Sequence, residues 1–287
     1  MSDLTTRLLA VDLDGTLLDS SGRLPSANRD ALHRAHQAGM RVVLCTGRSF
    51  TETRGVLDQI GLDLDATVTV GGALLTDART GRTLRATPMD AALADDLTRW
   101  LLELGNTVLW LHDASEAGFD GFAIDGRRRH PAVDRWIEKT PCVIRAAAAP
   151  PIAAPPTLRV TVVESDASLR EIARRLIERF GSRVNFNVIE VRSLGFTVLE
   201  IFTAPVDKWF GIAGLCGLWQ IDPRRTAAIG DDVNDLPMVR SAGIGALVSN
   251  ASDSVRAGAP LLMPTNDDHG VAAFVDHLLA RRTRGGT

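Results

Sequence analysis

A chain of 287 residues with 45% hydrophobic and 23% charged side chains can form one large α/β unit or two domains, and is neither disordered nor fibrous in composition. Its formal net charge of −3 excludes a general pull toward nucleic acid or an anionic membrane surface, and no apolar run reaches the roughly 18–20 residues that cross a bilayer. Three widely spaced cysteines without CxxC spacing (Cys45, Cys142 and Cys216) speak against a disulfide framework or a zinc site, and MSDLTTR at the start carries no signal pattern, so the sequence predicts a soluble, cytoplasmic protein.

The first third alternates strands and helices. RLLAVDL (7–13) predicts a strand, and SANRDALHRAHQAG (26–39) a helix with Ser26 as N-cap and Gly39 at its end. RVVLCT (41–46) predicts a second strand, in which Cys45 reads as a small buried thiol. A helix over 49–61 and a strand over 66–70 follow. Continuous apolar strands between helices mean a parallel sheet covered on both faces.

The middle differs. A helix over 90–105 precedes strands at 106–113 and 121–124. The Ala/Pro-rich stretch 145–157 predicts a loop or flexible arm. Then come a strand at 158–163, a helix at 168–181, and two strand-like segments, RVNFNVIEV and FTVLEIF. Adjacent strands with few helices suggest an α+β module with an antiparallel sheet.

The last third returns to alternation. It carries a helix at 206–219, a strand at 225–230, a helix at 234–243, a strand at 244–249, two short elements and a closing helix at 270–282. The predicted fold is α/β: a Rossmann-like parallel-sheet core from 1–83 and 196–287, with an α+β cap inserted at 84–195.

LLAVDLDGTLL (8–18) puts Asp12 and Asp14 at the end of an apolar strand. Two unpaired charges there would cost several kcal/mol if buried, so the run ends either at a polar site or at an acidic turn. In an open parallel sheet, ligands bind at the carboxyl ends of strands. The second strand delivers Thr46, Gly47 and Arg48 to that edge, and AAIGDDVND delivers Asp231, Asp232, Asn234 and Asp235. Lys208 opens a helix and is one of only two lysines, Lys139 being the other, so it is not background. Clustered carboxylates repel one another and call for a cation; oxygen ligands of this kind suit Mg²⁺. A hydroxyl and a lysine beside such a cation suit phosphoryl oxygens, and a carboxylate in line with phosphorus is a plausible nucleophile.

DLDGTLL, TGR, the isolated lysine and GDDVNDLPM resemble the four motifs of the haloacid dehalogenase superfamily, in that order, and the tail NASDSVRAGAP…TNDDHGVAAFV resembles its Cof-type phosphatases. The resemblance covers the core and is weak in the middle. It implies Asp12 as nucleophile, forming an aspartyl-phosphate, and Asp14 as general acid/base, with the Asp14 backbone carbonyl also touching Mg²⁺. It implies Thr46 and Lys208 on the phosphoryl oxygens, with Asn234 lining the phosphate site beside Gly47 and Arg48. Asp231 would ligate Mg²⁺ directly, while Asp235 would act through water or by holding Lys208. An aspartate at position 14 points to phosphoryl transfer rather than dehalogenation.

The stretch from Thr46 to Lys208 exceeds the one or two βα units of about 30 residues that a core connection needs, leaving roughly 100 residues for a cap. One departure stands out: GGA (71–73) replaces the Asn-Gly-Ala usual in such relatives, so Gly71 lacks a side chain. RRRH (127–130) reads as either a solvated basic patch or an anion contact, and His112 and Asp113 as either packing or substrate-facing groups. The expected substrate is a small phosphorylated metabolite, a sugar phosphate or similar; a sugar phosphomutase or a non-catalytic phosphometabolite-binding module is the alternative. The sequence leaves the oligomeric state open.

Overall fold

The computed structural model describes residues 6–191 and 195–285; most of the N-terminal stretch read for a signal pattern lies outside them. Strands β1 (Leu8–Val11), β2 (Arg41–Cys45), β3 (Ala66–Thr69), β4 (Leu74–Asp77) and β5 (Thr83–Ala86) precede the middle region. The middle carries β6 (Val108–His112), β7 (Gly121–Ile124), β8 (Ile144–Ala147), β9 (Thr157–Glu164), β10 (Val184–Val191) and β11 (Phe196–Thr203). Strands β12 (Thr226–Gly230), β13 (Ile244–Val248) and β14 (Leu262–Met263) close the chain.

They form two sheets. The first has order β14-β13-β12-β1-β2-β3-β4-β5, parallel from β14 to β3 and antiparallel at β4 and β5. Its alternate residues feed two cores. Leu9, Val11, Val42, Leu44 and Ile229 pack against helices Ser26–Gln37, Phe50–Ile60 and Gly270–Gly285. Leu8, Ala10, Val43, Cys45 and Ala228 pack against helices Lys208–Trp219 and Leu236–Ser241. Burial on both faces is why these strands read as unbroken apolar runs, each large aliphatic contributing about 1.5–3 kcal/mol.

The second sheet has order β10-β11-β9-β6-β7-β8 and lies, in sequence, between β5 and β12. One face, carrying Val108, Trp110, Val160, Val162, Leu199 and Ile201, is covered by helices Ala91–Glu103 and Asp166–Phe180.

Several expectations change in detail. Pro25, not Ser26, is the residue before the first helix, and no side chain caps it. The helix expected at 234–243 is shortened to six residues, Leu236–Ser241, after a tight turn at Val233–Asp235, because Asp232 and Asp235 cap that turn reciprocally. The Ala/Pro-rich stretch contributes β8, since its first alanines still have free backbone groups to pair with β7 before the prolines begin. The β7–β8 pair is parallel, an exception in an otherwise antiparallel sheet. Helix Pro131–Lys139 was not anticipated; His130 caps it and Pro131 opens it.

FTVLEIF was expected on the core side of 195/196, but β11 pairs on both edges with β10 and β9, where Leu199 and Ile201 complete the apolar face of the second sheet. At the other boundary, β5 runs to Ala86 within the first sheet. We therefore propose a core of residues up to 86 and from 204, with the inserted module between.

Candidate active site

Asp12, Thr46 and Asp231 each follow directly on a parallel strand, β1, β2 and β12, which are neighbours in the sheet. The register aligns Val11 with both Leu44 and Ile229, so the three exits fall on one edge. Ladder-type bonds continue one residue past the strands, from Asp12 N to the Ile229 carbonyl (3.1 Å) and from Thr46 N to the Val68 carbonyl (2.9 Å). The functional side chains are thus anchored by the sheet itself.

After Asp12 the chain makes a wide turn, in which Leu17 N donates to the Asp12 carbonyl at 3.2 Å. Gly15 sits there at φ +78°, and a Cβ would lie 2.4 Å from Asp231 Oδ2. Both the backbone angle and the close carboxylate demand glycine. Gly15→Ala is expected to destabilise the fold by about 1–3 kcal/mol in urea unfolding. An unchanged midpoint would contradict the close packing of this turn on Asp231.

The Lys208 ammonium is buried and bridges two carboxylates, Asp12 Oδ1 at 2.6 Å and Asp235 Oδ1 at 2.5 Å. Asp207 positions it by capping helix Lys208–Trp219, accepting from Phe210 N at 2.7 Å. Burial alone would lower the lysine's pKa, but Asp12 and Asp235 raise it well above the ordinary value, so it stays charged. Asp235 Oδ2 accepts from Asp231 N (2.9 Å) and Asp232 N (3.0 Å). Both Asp235 oxygens are therefore engaged, and the residue acts as the clamp that holds Lys208.

Carboxylate oxygens of Asp12, Asp231 and Asp235 lie within 4.8 Å of one another. Burial and the Asp235 charge push the Asp12 carboxyl up to about 7 despite Lys208. Burial and the neighbouring Asp12 and Asp235 push Asp231 well above the carboxylate range. Three acids facing one ammonium lack positive charge, and a hard divalent cation with oxygen ligands fits that deficit. Thr16 Oγ1 donates to Asp231 Oδ1 at 3.2 Å, leaving Oδ2 for such an ion.

The other expected residues divide. Thr46 is buried at the edge and its Oγ1 accepts from Arg48 N at 3.2 Å. Asn234 lies half-buried in the turn between Asp231 and Asp235. Asp14 is expected to touch the metal through its backbone carbonyl; its carboxylate, expected as general acid/base, lies outside the acidic cluster. Arg48 holds it through Nε (2.7 Å) and Nη2 (2.5 Å). Arg48, expected on the substrate, is thereby occupied by a protein carboxylate. Asp232 caps the turn, accepting from Val233 N.

Of the groups left open, RRRH makes contacts within the protein. Arg127 and Arg128 donate to the carbonyls of Glu103 and Leu104, Arg129 pairs with Asp125 and Asp134, and His130 caps a helix. His112 is buried among Trp110, Phe119 and Phe122. Asp113 caps a short turn and accepts from Thr83. The missing side chain at Gly71 also has a cause: a Cβ there would lie 2.7 Å from the Phe202 ring of β11.

Sequence reasoning missed the contacts from the inserted module to the segment after Thr46. Arg159 Nη1 donates to the Gly47 carbonyl at 2.7 Å and pairs with Glu200, both charges being buried. Thr51 donates to Asp120 at 2.5 Å, and Glu52 accepts from Trp136 Nε1 and Thr140 Oγ1, each at 3.3 Å. The available signal was a charge inside each of two apolar strands, Arg159 in LRVTVV and Glu200 in FTVLEIF.

Comparison with known proteins agrees with this geometry. Phosphatase YwpJ of Bacillus subtilis (strain 168) is 26% identical over 297 residues, covering 95% of this chain and 100% of that protein. Pyridoxal phosphate phosphatase YbhA of Escherichia coli (strain K12) is 27% identical over 305 residues, covering 96% and 100%. A solved haloacid dehalogenase-like hydrolase from B. subtilis superposes with a TM-score of 0.79 at 22% identity, covering 95% and 99%. The family model for haloacid dehalogenase-like hydrolases matches residues 9–275, from the strand that carries Asp12 into the closing helix. The chain belongs to the haloacid dehalogenase-like hydrolase family, Cof-type branch.

Proposed function

We propose that this chain is a Mg²⁺-dependent phosphatase that hydrolyses small phosphorylated metabolites through an aspartyl-phosphate on Asp12. The observation that carries the reading is Asp12 itself: a buried carboxylate at a strand end, 2.6 Å from a buried ammonium and beside Asp231. The phosphatase names of YwpJ and YbhA support the reaction class.

In this reading Thr46 and Lys208 hold the phosphoryl oxygens. Asp12 attacks phosphorus, the P–O ester bond breaks, and Asp14 gives its proton to the leaving oxygen. Asp14 then takes a proton from water, which attacks the aspartyl-phosphate, releasing phosphate and restoring Asp12. A carboxylate gripped at both oxygens by a guanidinium accepts hydrogen bonds and cannot donate one. Asp14 therefore swings off Arg48 before it serves as acid, and the Arg48 pair is its resting position. Asp12 and Asp231 would hold Mg²⁺, with the Asp14 carbonyl and water-mediated Asp235 completing the set. Bound there, Mg²⁺ supplies the charge neutralisation that lets an anionic nucleophile approach an anionic phosphoryl group.

The test is phosphate release from a panel of phosphorylated metabolites with Mg²⁺ or EDTA. Release that depends on Mg²⁺ is expected, and release undiminished in EDTA would contradict the reading.

The raised carboxyls add a stability signature. Asp12 reaches about 7 in the folded state against an ordinary 3.8. The Asp12 contribution to stability without metal is thus fully present in acid and lost as pH rises through about 4 to 7, where the folded state holds the extra proton. Mg²⁺ at about 100 times its Kd offsets this by about 2.7 kcal/mol near pH 8, a rise in Tm of about 5 °C. Near pH 5.5 protons compete and the gain shrinks. Melts with EDTA and Mg²⁺ at both pH values check this, and a Mg²⁺ gain equal at both would count against it.

A further inference from the structure

His112 ends β6 of the inserted module and is only 2% exposed, its ring set edge-on against Trp110, Phe119 and Phe122. Its two nitrogens differ. Nδ1 lies 3.2 Å from the Pro156 carbonyl, which can only accept, so Nδ1 carries a proton and donates it. Burial pushes the imidazole pKa down, so the ring is neutral and Nε2 keeps a lone pair. Nε2 is buried and has no hydrogen-bond partner among the described residues. A buried polar atom left in that state is costly, and nearly all such atoms in folded proteins are satisfied by protein or by ordered water.

Thr76 Oγ1, on β4 of the core, is in the same position: the residue is 1% exposed and the hydroxyl has no partner among the described residues. Thr67, aligned with Thr76 across the β3–β4 pair, does not serve it, since its own hydroxyl is unpartnered too. His112 and Thr76 line one cavity of about 20 Å³ at the seam where module meets core. Its other polar walls are Thr51 from the core and Asp113, Ser115 and Asp120 from the module. Direct bonds flank the cavity. Thr51 donates to Asp120 and Thr83 to Asp113, each at 2.5 Å, and Asp120 also accepts from Val143 N at 2.8 Å.

Size and chemistry select the occupant. A water needs roughly 10–15 Å³ of such space and two to four polar partners, and a larger solute has no room. The occupant has to give a hydrogen bond to Nε2, while the Thr76 hydroxyl can give or take one; water meets both demands. A metal ion does not match the walls. Among the described residues, the one trio of acidic, histidine or cysteine side chains close enough to share an ion is Asp12, Asp231 and Asp235.

We infer that this cavity is a hydration site, in which one bound water donates to His112 Nε2 and bonds to Thr76 Oγ1, so that module and core dock through a water bridge at this point. The bridge satisfies two buried polar groups at once. It also joins β4 and β6, which belong to different sheets. His112 thus serves docking rather than substrate contact. The inference stands apart from the phosphatase reading, because Asp12, Thr46 and Lys208 do not line the cavity.

A high-resolution crystal structure of the full chain is the first test. The expected result is density for one water within about 2.6–3.2 Å of both His112 Nε2 and Thr76 Oγ1. A cavity without density, or density at the distances of about 2.0–2.2 Å that mark a bound zinc ion, overturns the inference. Thr76→Val supplies a second test through the sign of its effect. Valine keeps the branched shape and removes the hydroxyl. If that hydroxyl holds a water, the variant strands the water, and Tm is expected to fall by roughly 2–6 °C. If the hydroxyl is truly unpaired, valine removes a costly group and Tm does not fall. A Tm at or above that of the wild type therefore overturns the water bridge.

Discussion

Asp12→Asn is expected to lower Mg²⁺-dependent phosphate release by a factor on the order of 10⁴ or more, while the protein stays folded. The amide keeps the shape of the carboxylate, and its oxygen can still accept from Lys208 Nζ, which now donates to Asp12 Oδ1 at 2.6 Å. What it loses is the anionic oxygen that attacks phosphorus. The stability effect runs the other way. Burial and Asp235 hold the Asp12 carboxyl near 7, so ionising it at higher pH works against folding. A neutral amide removes that penalty. Metal-free Asp12→Asn is therefore expected to melt at or above the wild-type temperature near pH 8. Thermal melts in EDTA alongside phosphate assays check both halves. A variant that loses activity and stability together would make Asp12 a structural residue instead.

Lys208→Met is expected to carry the largest stability cost. The ammonium lies between Asp12 and Asp235, and all three side chains are almost fully buried. Removing it leaves two carboxylates facing each other beside Asp231, with no cation among them in the metal-free protein. Breaking one partner out of a buried ionic cluster costs about 3–5 kcal/mol. Adding Asp235→Asn to Lys208→Met removes one of the stranded charges and should recover part of the loss. That non-additivity separates charge imbalance from lost packing of the lysine stem, since relief of packing would leave the two effects additive. Activity is expected to stay low in both variants, because neither restores a cation for the phosphoryl oxygens.

Much of this arrangement was legible in the sequence because it is local. Leu8–Val11 running into Asp12, and Thr226–Gly230 running into Asp231, are strand ends whose apolar side chains are buried on both sheet faces. Once β1, β2 and β12 are parallel neighbours, Asp12, Thr46 and Asp231 have to share an edge. The helix over 49–61 was legible as well, and its Ser49–Glu52 capping box lies within the same short stretch.

What escaped depends on contacts between distant segments. The hairpin of β4 and β5 is short and mixed in polarity, so only its pairing with β3 makes it sheet. FTVLEIF was grouped with the middle strands yet cut from them by the 195/196 boundary; only its pairing with β9 and β10 fixes where that boundary falls. Arg48 and Asp14 lie in separate loops, and their pairing follows from the wide turn around Gly15. Arg159 and Glu200 were visible as charges inside apolar strands, but their position over Gly47 depends on how the inserted module docks. Gly71 read only as a missing side chain, because the Phe202 ring that occupies the space comes from a distant strand.

The central claim is that Asp12 becomes phosphorylated during turnover. The most direct test uses Asp14→Asn, in which hydrolysis of the phosphoenzyme should slow more than its formation, so that the intermediate accumulates. After brief exposure to a hydrolysed ester and Mg²⁺, the acyl-phosphate is reduced with borohydride and the protein is mapped by mass spectrometry. Conversion of residue 12 to homoserine, dependent on both substrate and Mg²⁺, is the expected result. Borohydride labelling at another carboxylate, or steady phosphate release by Asp12→Asn, would contradict it.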